Sequence, residues 1–137
     1  GTAQAALTAA QEYMNERAQF GKKIGQFQAL QFKLADMTTE LVAARHFVRL
    51  AASKLDINHP EATIYSAMAK RFATDVGFNV CNEALQIFGG YGYMQEYSLE
   101  RHVRDVRVHQ ILEGTNEIMR MIIGRRMMME DATKLVQ

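Results

Sequence analysis

The sequence predicts an all-α protein built as an up-down helical bundle. Apolar side chains recur at spacings of three and four residues along most of its 137 residues, which is the pattern of a helix with one buried face. The chain holds one proline, and proline in a helix interior removes a hydrogen bond. The breaks between periodic segments are short, and short connections favour antiparallel neighbouring helices. We therefore expect one domain over residues 1–137.

The first two helices are expected between residues 3 and 55. The first runs from Ala3 to about Gln19 and ends at a turn with two glycines in five positions. The second has the clearest pattern, because nine apolar residues repeat every 3.5 residues on average, as in bundle packing. These residues are Phe27, Leu30, Leu34, Met37, Leu41, Ala44, Val48, Ala51 and Leu55.

Three further helices are expected in the second half of the chain. They span about residues 61–88, 97–112 and 115–135. Pro60 suits the first turn of the third helix, where its missing N–H is not needed. Gly89 suits the end of that helix, where a positive φ is favoured. We expect the last two segments to form one helix of the bundle, which is split or extended at Glu113-Gly114.

Charge and composition exclude several classes of function. The formal net charge is +1, so the overall electrostatic field of the protein does not attract nucleic acid or an anionic membrane. No apolar run approaches the ~20 residues of a membrane helix. Cys81 is the only cysteine, which predicts a buried, inert thiol and no intrachain disulfide. His102 and His109 share a face without a third ligand at metal spacing, so no metal site is predicted.

The segment Glu113-Gly114-Thr115-Asn116 is the first candidate site. Glycine lets a ligand approach the backbone closely, and Thr115 or Asn116 can cap the following helix, whose N–H groups then face the same gap. A carboxylate at such a gap is placed to take a proton from a bound molecule. The alternative interpretation is a surface glutamate in an interhelical turn, and the segment alone does not decide between the two.

Three other segments have both a functional and a purely structural interpretation. Arg17 and Gln19 could bind a phosphate, although an arginine at a helix C-terminus is also favoured by the helix dipole. The stretch 86–92 could present backbone to a flat or phosphate-bearing ligand, or could simply be a glycine cap with aromatic packing. The charged stretch 100–109 is expected to be a solvated face or a set of interhelical ion pairs.

Taken in order, these segments resemble the C-terminal helical domain of the acyl-CoA dehydrogenase family of flavoproteins. The resemblance covers nearly the whole chain and implies a four-helix bundle. The matching segments are Arg17-x-x-Phe20-Gly21-Lys22-x-Ile24, Phe27-Gln28-x-x-Gln31-Phe32-x-Leu34-Ala35-Asp36-Met37, Gln86-Ile87-Phe88-Gly89-Gly90-Tyr91-Gly92, Arg104-Asp105-x-Arg107, Ile111-Leu112-Glu113-Gly114-Thr115-Asn116-Glu117-Ile118 and Arg125.

The resemblance implies an enzyme that oxidises an acyl-CoA thioester to its trans-2-enoyl form with FAD and passes electrons to an electron-transfer flavoprotein. It implies that Glu113 is the base that removes the α-proton, and that Gly114 and Arg125 contact the substrate. An α-proton of a thioester is weakly acidic, so the base should be desolvated to raise its pKa. Some relatives place the base on another helix, and Glu113 argues against that subgroup.

The resemblance also implies a set of FAD contacts. They are Arg17, Gln19, Phe20, Phe27, Gln28, Gln86, Ile87, Phe88, Gly89, Gly90, Thr115, Asn116 and Glu117. In the family one part of this set reaches a neighbouring subunit's flavin, which implies a homodimer or a homotetramer. A mitochondrial matrix or a bacterial cytoplasm would both suit a chain with one free cysteine.

Two departures from the family pattern shape the expectations. The family's N-terminal helical and middle β-domains are missing from this sequence, so we expect a fragment that alone neither holds FAD tightly nor turns over. Leu112 stands where many straight-chain members carry tyrosine. Leucine at this position favours the short, branched-chain (isobutyryl-CoA dehydrogenase-like) subgroup. The alternatives are an acyl-CoA oxidase of the same fold, a flavin monooxygenase, which Glu113 disfavours, and a non-catalytic helical assembly module.

Overall fold

The computed structural model describes residues 1–129 and residue 135, and five α-helices form most of that part. They are α1 (Thr2–Glu16), α2 (Gln28–Asp56), α3 (Ala62–Phe88), α4 (Leu99–Arg107) and α5 (Asn116–Met129). Two short antiparallel strands, β1 (Ala18–Gln19) and β2 (Lys22–Lys23), join α1 to the second helix. Short 3-10 turns occupy Ile24–Gln26, Gly89–Tyr93, Gln95–Tyr97 and Val108–Gln110.

Helix α3 is the centre of the bundle and packs against each of the other four helices. Its apolar face meets small residues on its neighbours, such as Ala6 and Ala10 of α1 and Ala44 of α2, all of them buried. Small side chains let helix axes approach closely. The largest fully buried side chains are Leu99, Val80 and Cys81. The expectation of an all-α helical bundle is confirmed.

The first helix is shorter than the sequence suggested. It ends at Glu16 instead of Gln19, because β1 and β2 form a hairpin in which Ala18 pairs with Lys23. The two turn residues, Phe20 and Gly21, have φ values of 54° and 79°. Positive φ at both central residues is what a two-residue hairpin turn needs for its twist to match the strands.

The predicted seam of α2 is correct at most positions and wrong at two positions in the C-terminal half of the helix. Met37, Ala44 and Ala51 are buried, but Val48 and Leu55 are 46% and 56% exposed. An α-helix drifts by about 20° per heptad relative to a strict 3.5-residue repeat. The drift moves the row that ends in Val48 and Leu55 toward solvent, while the row of Met37, Ala44 and Ala51 stays buried.

Three further boundaries differ slightly from expectation. Pro60 lies before the N-cap residue Glu61 and outside the first turn of α3, because the His59 ring accepts the Glu61 N–H and shapes a separate turn there. Helix α4 ends at Arg107 and continues only as a 3-10 turn. The expected continuation of α5 through residues 130–134 lies outside the described part of the chain.

Burial accounts for the state of the single cysteine. Cys81 is fully buried in the core, and burial raises the pKa of its thiol to about 11. A thiol with so high a pKa stays protonated and unreactive near neutral pH. The predicted burial of this thiol is confirmed. None of the helices in residues 1–129 is both long enough and apolar enough to cross a bilayer.

Candidate functional site

The Glu113-Gly114 turn links the end of α4 to the start of α5 with two consecutive positive φ angles. They are 54° at Glu113 and 92° at Gly114. Glycine adopts this backbone conformation freely, whereas an L-residue with a side chain is destabilised there by about 1–2 kcal/mol. Strain of this kind persists only where the surrounding structure holds the backbone in place.

Thr115 caps the helix that follows the turn. Its hydroxyl oxygen accepts the Ile118 N–H at 3.3 Å, and its carbonyl accepts the Met119 N–H at 3.0 Å. This is the geometry of an N-cap residue, and it satisfies a backbone donor that the first helical turn leaves free. Of the two capping residues that the sequence offered, the structure uses Thr115.

Asn116 has a different role, because its side chain is buried and turned into the bundle. It is 3% exposed. Its Oδ1 accepts hydrogen bonds from Lys70 Nζ at 2.8 Å and from Thr74 Oγ1 at 3.2 Å. Its Nδ2 donates to Asp75 Oδ1 at 2.7 Å. All of these partners lie on α3, so any contact of Asn116 with a ligand would involve its backbone.

The side chains of Glu113 and Glu117 are exposed. Glu117 lies in the first turn of α5, where a carboxylate is favoured by the helix dipole, and it pairs with Arg120 at 3.7 Å. The packing of the described residues does not desolvate Glu113. Among the described residues, the Glu113 carboxylate is therefore open to solvent.

A second site is a cleft of about 780 Å³ between the end of α1, the hairpin, the start of α2 and the end of α3. Eight of the residues expected to contact FAD line it together. They are Arg17, Gln19, Phe20, Phe27, Ile87, Phe88, Gly89 and Gly90. Sequence positions that are 70 residues apart thus meet in one cleft, which the local motifs could not show individually.

Aromatic rings and one guanidinium group form the walls of the cleft. Tyr13 stacks on Phe88 with ring centroids 4.1 Å apart and an interplanar angle of 16°. The Arg17 guanidinium lies 5.3 Å from the centroid of the Tyr91 ring. Burial raises the pKa of Tyr13, and the positive charge of Arg17 offsets part of that rise.

Tyr13 and Met94 also line the cleft, and sequence reasoning did not select them. Tyr91 lines it too; it lies in the candidate segment 86–92 but was not among the expected FAD contacts. The spacing of Tyr13 and Arg17, four residues apart on a helix, was the available signal for the first of these.

The chemistry of this cleft fits a flavin nucleotide. A Cβ built at Gly89 or Gly90 would meet no atom within 4 Å, so a ligand can approach the backbone there. Flat aromatic walls suit a ring system, and a guanidinium matches phosphate oxygens.

The structural interpretation of the stretch 86–92, a glycine cap with aromatic packing, is also correct. Gly89 ends α3 with a φ of 61°, and a Cβ at Gly92 would lie 2.5 Å from the Leu85 carbonyl oxygen.

The remaining candidate residues lie elsewhere. Gln28 and Gln86 are exposed and do not line the cleft. Arg125 is exposed on α5 and lines a separate depression beside the start of α3. It is nine residues beyond Asn116, which is about 14 Å along a helix axis.

The cleft and the Glu113 turn lie beside different parts of α3. The turn accepts a hydrogen bond from Lys70, and Phe88 lines the cleft. Eighteen residues of helix separate these two positions, which is about 27 Å. The structure therefore does not bring Thr115, Asn116 and Glu117 to the cleft that gathers the other expected FAD contacts.

The charged stretch on α4 lies at the surface, and part of it lines an open depression together with Tyr93 and Ile111. Arg101, Arg104, Asp105 and Arg107 are exposed, as expected of a solvated face. Among the residues that the structure describes, no three His, Cys, Asp or Glu side chains are grouped to hold a metal ion.

Comparison with known proteins agrees with this fold and these segments. Residues 1–128 match the family model described as acyl-CoA dehydrogenase, C-terminal domain. The mitochondrial isobutyryl-CoA dehydrogenase of Bos taurus is 49% identical over 130 residues, which are 95% of this chain and 31% of that protein. The chain thus spans about a third of the length of such relatives.

Two solved structures superpose closely. A chain in a structure of the electron transferring flavoprotein of Acidaminococcus fermentans gives a TM-score of 0.90 at 46% identity, covering 94% of this chain and 34% of that one. Butyryl-CoA dehydrogenase from Megasphaera elsdenii gives 0.89 at 48% identity, covering 93% and 33%.

Proposed function

The chain belongs to the acyl-CoA dehydrogenase family, and we propose that it supplies the catalytic base and part of the FAD site for the α,β-desaturation of a short or branched acyl-CoA thioester. The observation that supports this most directly is the Glu113-Gly114 turn. It presents an exposed carboxylate beside the start of α5, on a backbone held in a conformation that costs free energy.

Glu113 removes the α-proton of the thioester, and its carboxylate becomes a carboxylic acid in that step. FAD, when bound, supplies the acceptor for the hydride that leaves the β-carbon. As negative charge develops on the thioester oxygen, the Glu113 backbone N–H is the donor that the family uses there. Gly114 lets the acyl group pass close to the backbone, where a side chain would block it.

Exclusion of water from the Glu113 turn makes its carboxylate a more effective base. The exposed Glu113 carboxylate loses its hydration when the acyl-CoA and the parts of the protein that enclose it exclude water. A carboxylate without hydrating water takes up a weakly acidic proton more readily. The substrate thus takes part in activating the group that attacks it.

The cleft at the end of α3 and the Glu113 turn serve different flavins of an oligomer. The separation of about 27 Å along α3 supports this arrangement. Arg17 pairs with phosphate oxygens, and the Gly89-Gly90 backbone lies against the ligand. Gln28 and Gln86 contact the cofactor at the margin of the cleft, and Thr115, Asn116 and Glu117 contact it at the turn, Asn116 through its backbone. A homodimer or homotetramer is the assembly that this requires.

Arg125, further along α5, contacts the substrate beyond the acyl group. The isobutyryl-CoA and butyryl-CoA relatives support a short or branched acyl chain, and Leu112 is consistent with the branched type. Electrons leave for an electron-transfer flavoprotein, and the compartment is a mitochondrial matrix or a bacterial cytoplasm.

The experiment is a product assay on the full-length flavoprotein that contains this chain. Isobutyryl-CoA and butyryl-CoA are supplied with an electron-transfer flavoprotein or with oxygen alone, and the 2-enoyl product is measured. Product that requires the flavoprotein supports the dehydrogenase, whereas product with stoichiometric oxygen consumption identifies an acyl-CoA oxidase. No product from any acyl-CoA would contradict the proposal and leave a non-catalytic assembly module.

A further inference from the structure

Lys70, on the central helix α3, donates a hydrogen bond directly to the Glu113-Gly114 turn. Its Nζ donates to the Gly114 carbonyl oxygen at 2.8 Å and to Asn116 Oδ1 at 2.8 Å. One ammonium group thus bridges the middle of the turn and the first residue of α5. Hydrogen bonds from a charged donor are about twice as strong as those between neutral groups.

The neighbouring positions of α3 extend the same contact. Thr74 lies one turn after Lys70 on the same face of the helix. Asp75 is the next residue, and its side chain reaches the same asparagine from the adjoining face. Asp75 Oδ1 accepts hydrogen bonds from Asn116 Nδ2 and from Gln110 Nε2, each at 2.7 Å. Thr74 Oγ1 accepts one from Asn116 Nδ2 at 2.9 Å.

The turn is therefore held at three points along its length. Gln110 anchors the chain before Glu113, the Gly114 carbonyl anchors it immediately after, and Asn116 anchors the start of α5. A turn with two positive φ angles needs such support to keep one conformation. Each anchor comes from a rigid helix, and sites supported by helices are held more accurately than sites on free loops.

The charge of Lys70 is not required to balance Asp75. Arg71 and Arg120 lie 3.7 Å and 3.5 Å from Asp75 Oδ2, so that carboxylate already has two cations beside it. The two hydrogen bonds that Lys70 makes to the Glu113 turn are both directed at groups that fix backbone geometry.

We infer that Lys70 is a positioning residue that holds Glu113 at the angle and distance required for proton removal. This inference rests on the proposed role of Glu113 as the base. Lys70 contacts neither substrate nor cofactor in this account; it acts through the Gly114 carbonyl and Asn116.

The test compares Lys70→Met with a matched control, Lys33→Met, in the flavin-loaded full-length protein. Lys33 also contributes an ammonium group to a partly buried contact with α3, an ion pair with Glu83, but away from the turn. Anaerobic stopped-flow bleaching of the flavin by isobutyryl-CoA and butyryl-CoA gives a limiting rate constant and an amplitude. A displacement of about 1 Å can lower a rate about 100-fold, and we expect a loss of that order for Lys70→Met.

The rate constant and the amplitude separate positioning from simple loss of folded protein. A partly unfolded variant bleaches with a smaller amplitude at the wild-type rate constant. A mispositioned base bleaches with full amplitude at a lower rate constant, while the substrate Kd changes little. We expect the second result for Lys70→Met and wild-type behaviour for Lys33→Met.

A rescue experiment provides the second readout. In Lys70→Ala, added n-propylamine is expected to restore part of the rate, because its ammonium form can donate to both oxygens. Tetramethylammonium, which has the charge without a donor, should not. If Lys70→Met does not fold, Lys70→Gln is used, because it keeps a polar N–H donor group on a shorter, uncharged side chain and should still lose at least about 10-fold.

Glu113→Gln is measured in parallel, so that the role of Glu113 as the base and the positioning role of Lys70 are tested separately. If Glu113→Gln bleaches at the wild-type rate, the proposed base is wrong and the inference about Lys70 falls with it. If Glu113→Gln is inactive but Lys70→Met keeps the wild-type rate constant, only the positioning role is overturned.

Discussion

Replacing Asn116 by alanine should destabilise the isolated chain more than most single changes at a helix start. The side chain is 3% exposed and makes hydrogen bonds of 2.8 Å and 2.7 Å with Lys70 and Asp75, both charged groups. The change removes both bonds without removing either charge.

The magnitude follows from those two bonds. A hydrogen bond to a charged group contributes about 1.5–3 kcal/mol, so two would give roughly 3–6 kcal/mol if their partners were fully buried. The Asp75 side chain is 28% exposed, and it keeps Gln110 and two arginines nearby. Water and these partners recover part of the loss, so we expect a decrease of about 3 kcal/mol in the free energy of unfolding.

Urea unfolding monitored by circular dichroism measures this quantity. For a domain of this size, about 3 kcal/mol corresponds to a decrease in Tm of about 10 °C. The matched control is Asn82→Ala, because Asn82 is an exposed asparagine on α3 and should change stability by less than about 0.5 kcal/mol. A loss below about 1 kcal/mol for Asn116→Ala, or equal losses for the two variants, would refute the claim that this network holds the turn.

Two further predictions concern the turn and the core. Gly114→Ala should lower stability by about 1–2 kcal/mol in the same urea assay, because φ is 92° and the new Cβ would lie 2.7 Å from Met119 Cε. Gly124→Ala is its control inside α5; it should stabilise by up to about 1 kcal/mol, and similar signs for the two changes would contradict the reasoning. Burial raises the pKa of Cys81 to about 11 in the folded state, whereas an unfolded thiol titrates near ~8.5. The folded state therefore keeps its proton longer, and stability should fall as pH rises between these values relative to Cys81→Ala; an unchanged difference between pH 7.5 and pH 10.5 would show that the thiol is not buried in solution.

The sequence predicted the long helices well, because their apolar residues follow a helical period over many turns. The bounds of α2 and α3 agree with expectation to within one or two residues. The hairpin after α1 was missed, since strands of two residues are too short to show a period of two. A phenylalanine at positive φ gives no signal in composition either.

The candidate site was predictable where a motif is local and unpredictable where it depends on remote contacts. The order of motifs selected eight residues that line one cleft. Lys70 was not selected, because 44 residues separate it from Gly114 and nothing local marks it as a partner. The exposure of Glu113 also differs from the desolvated state that the resemblance implied, since desolvation depends on atoms beyond those that pack around the turn.

The most direct test of the account is the rate of anaerobic flavin bleaching by isobutyryl-CoA in the full-length protein, wild type against Glu113→Gln. Glu12→Gln, an exposed carboxylate on α1, is the control and should bleach at the wild-type rate. We predict that bleaching in Glu113→Gln falls by a factor of about 100 or more, because the amide cannot accept the α-proton. Equal rates in wild type and Glu113→Gln would mean that another group removes the proton, and would contradict the account.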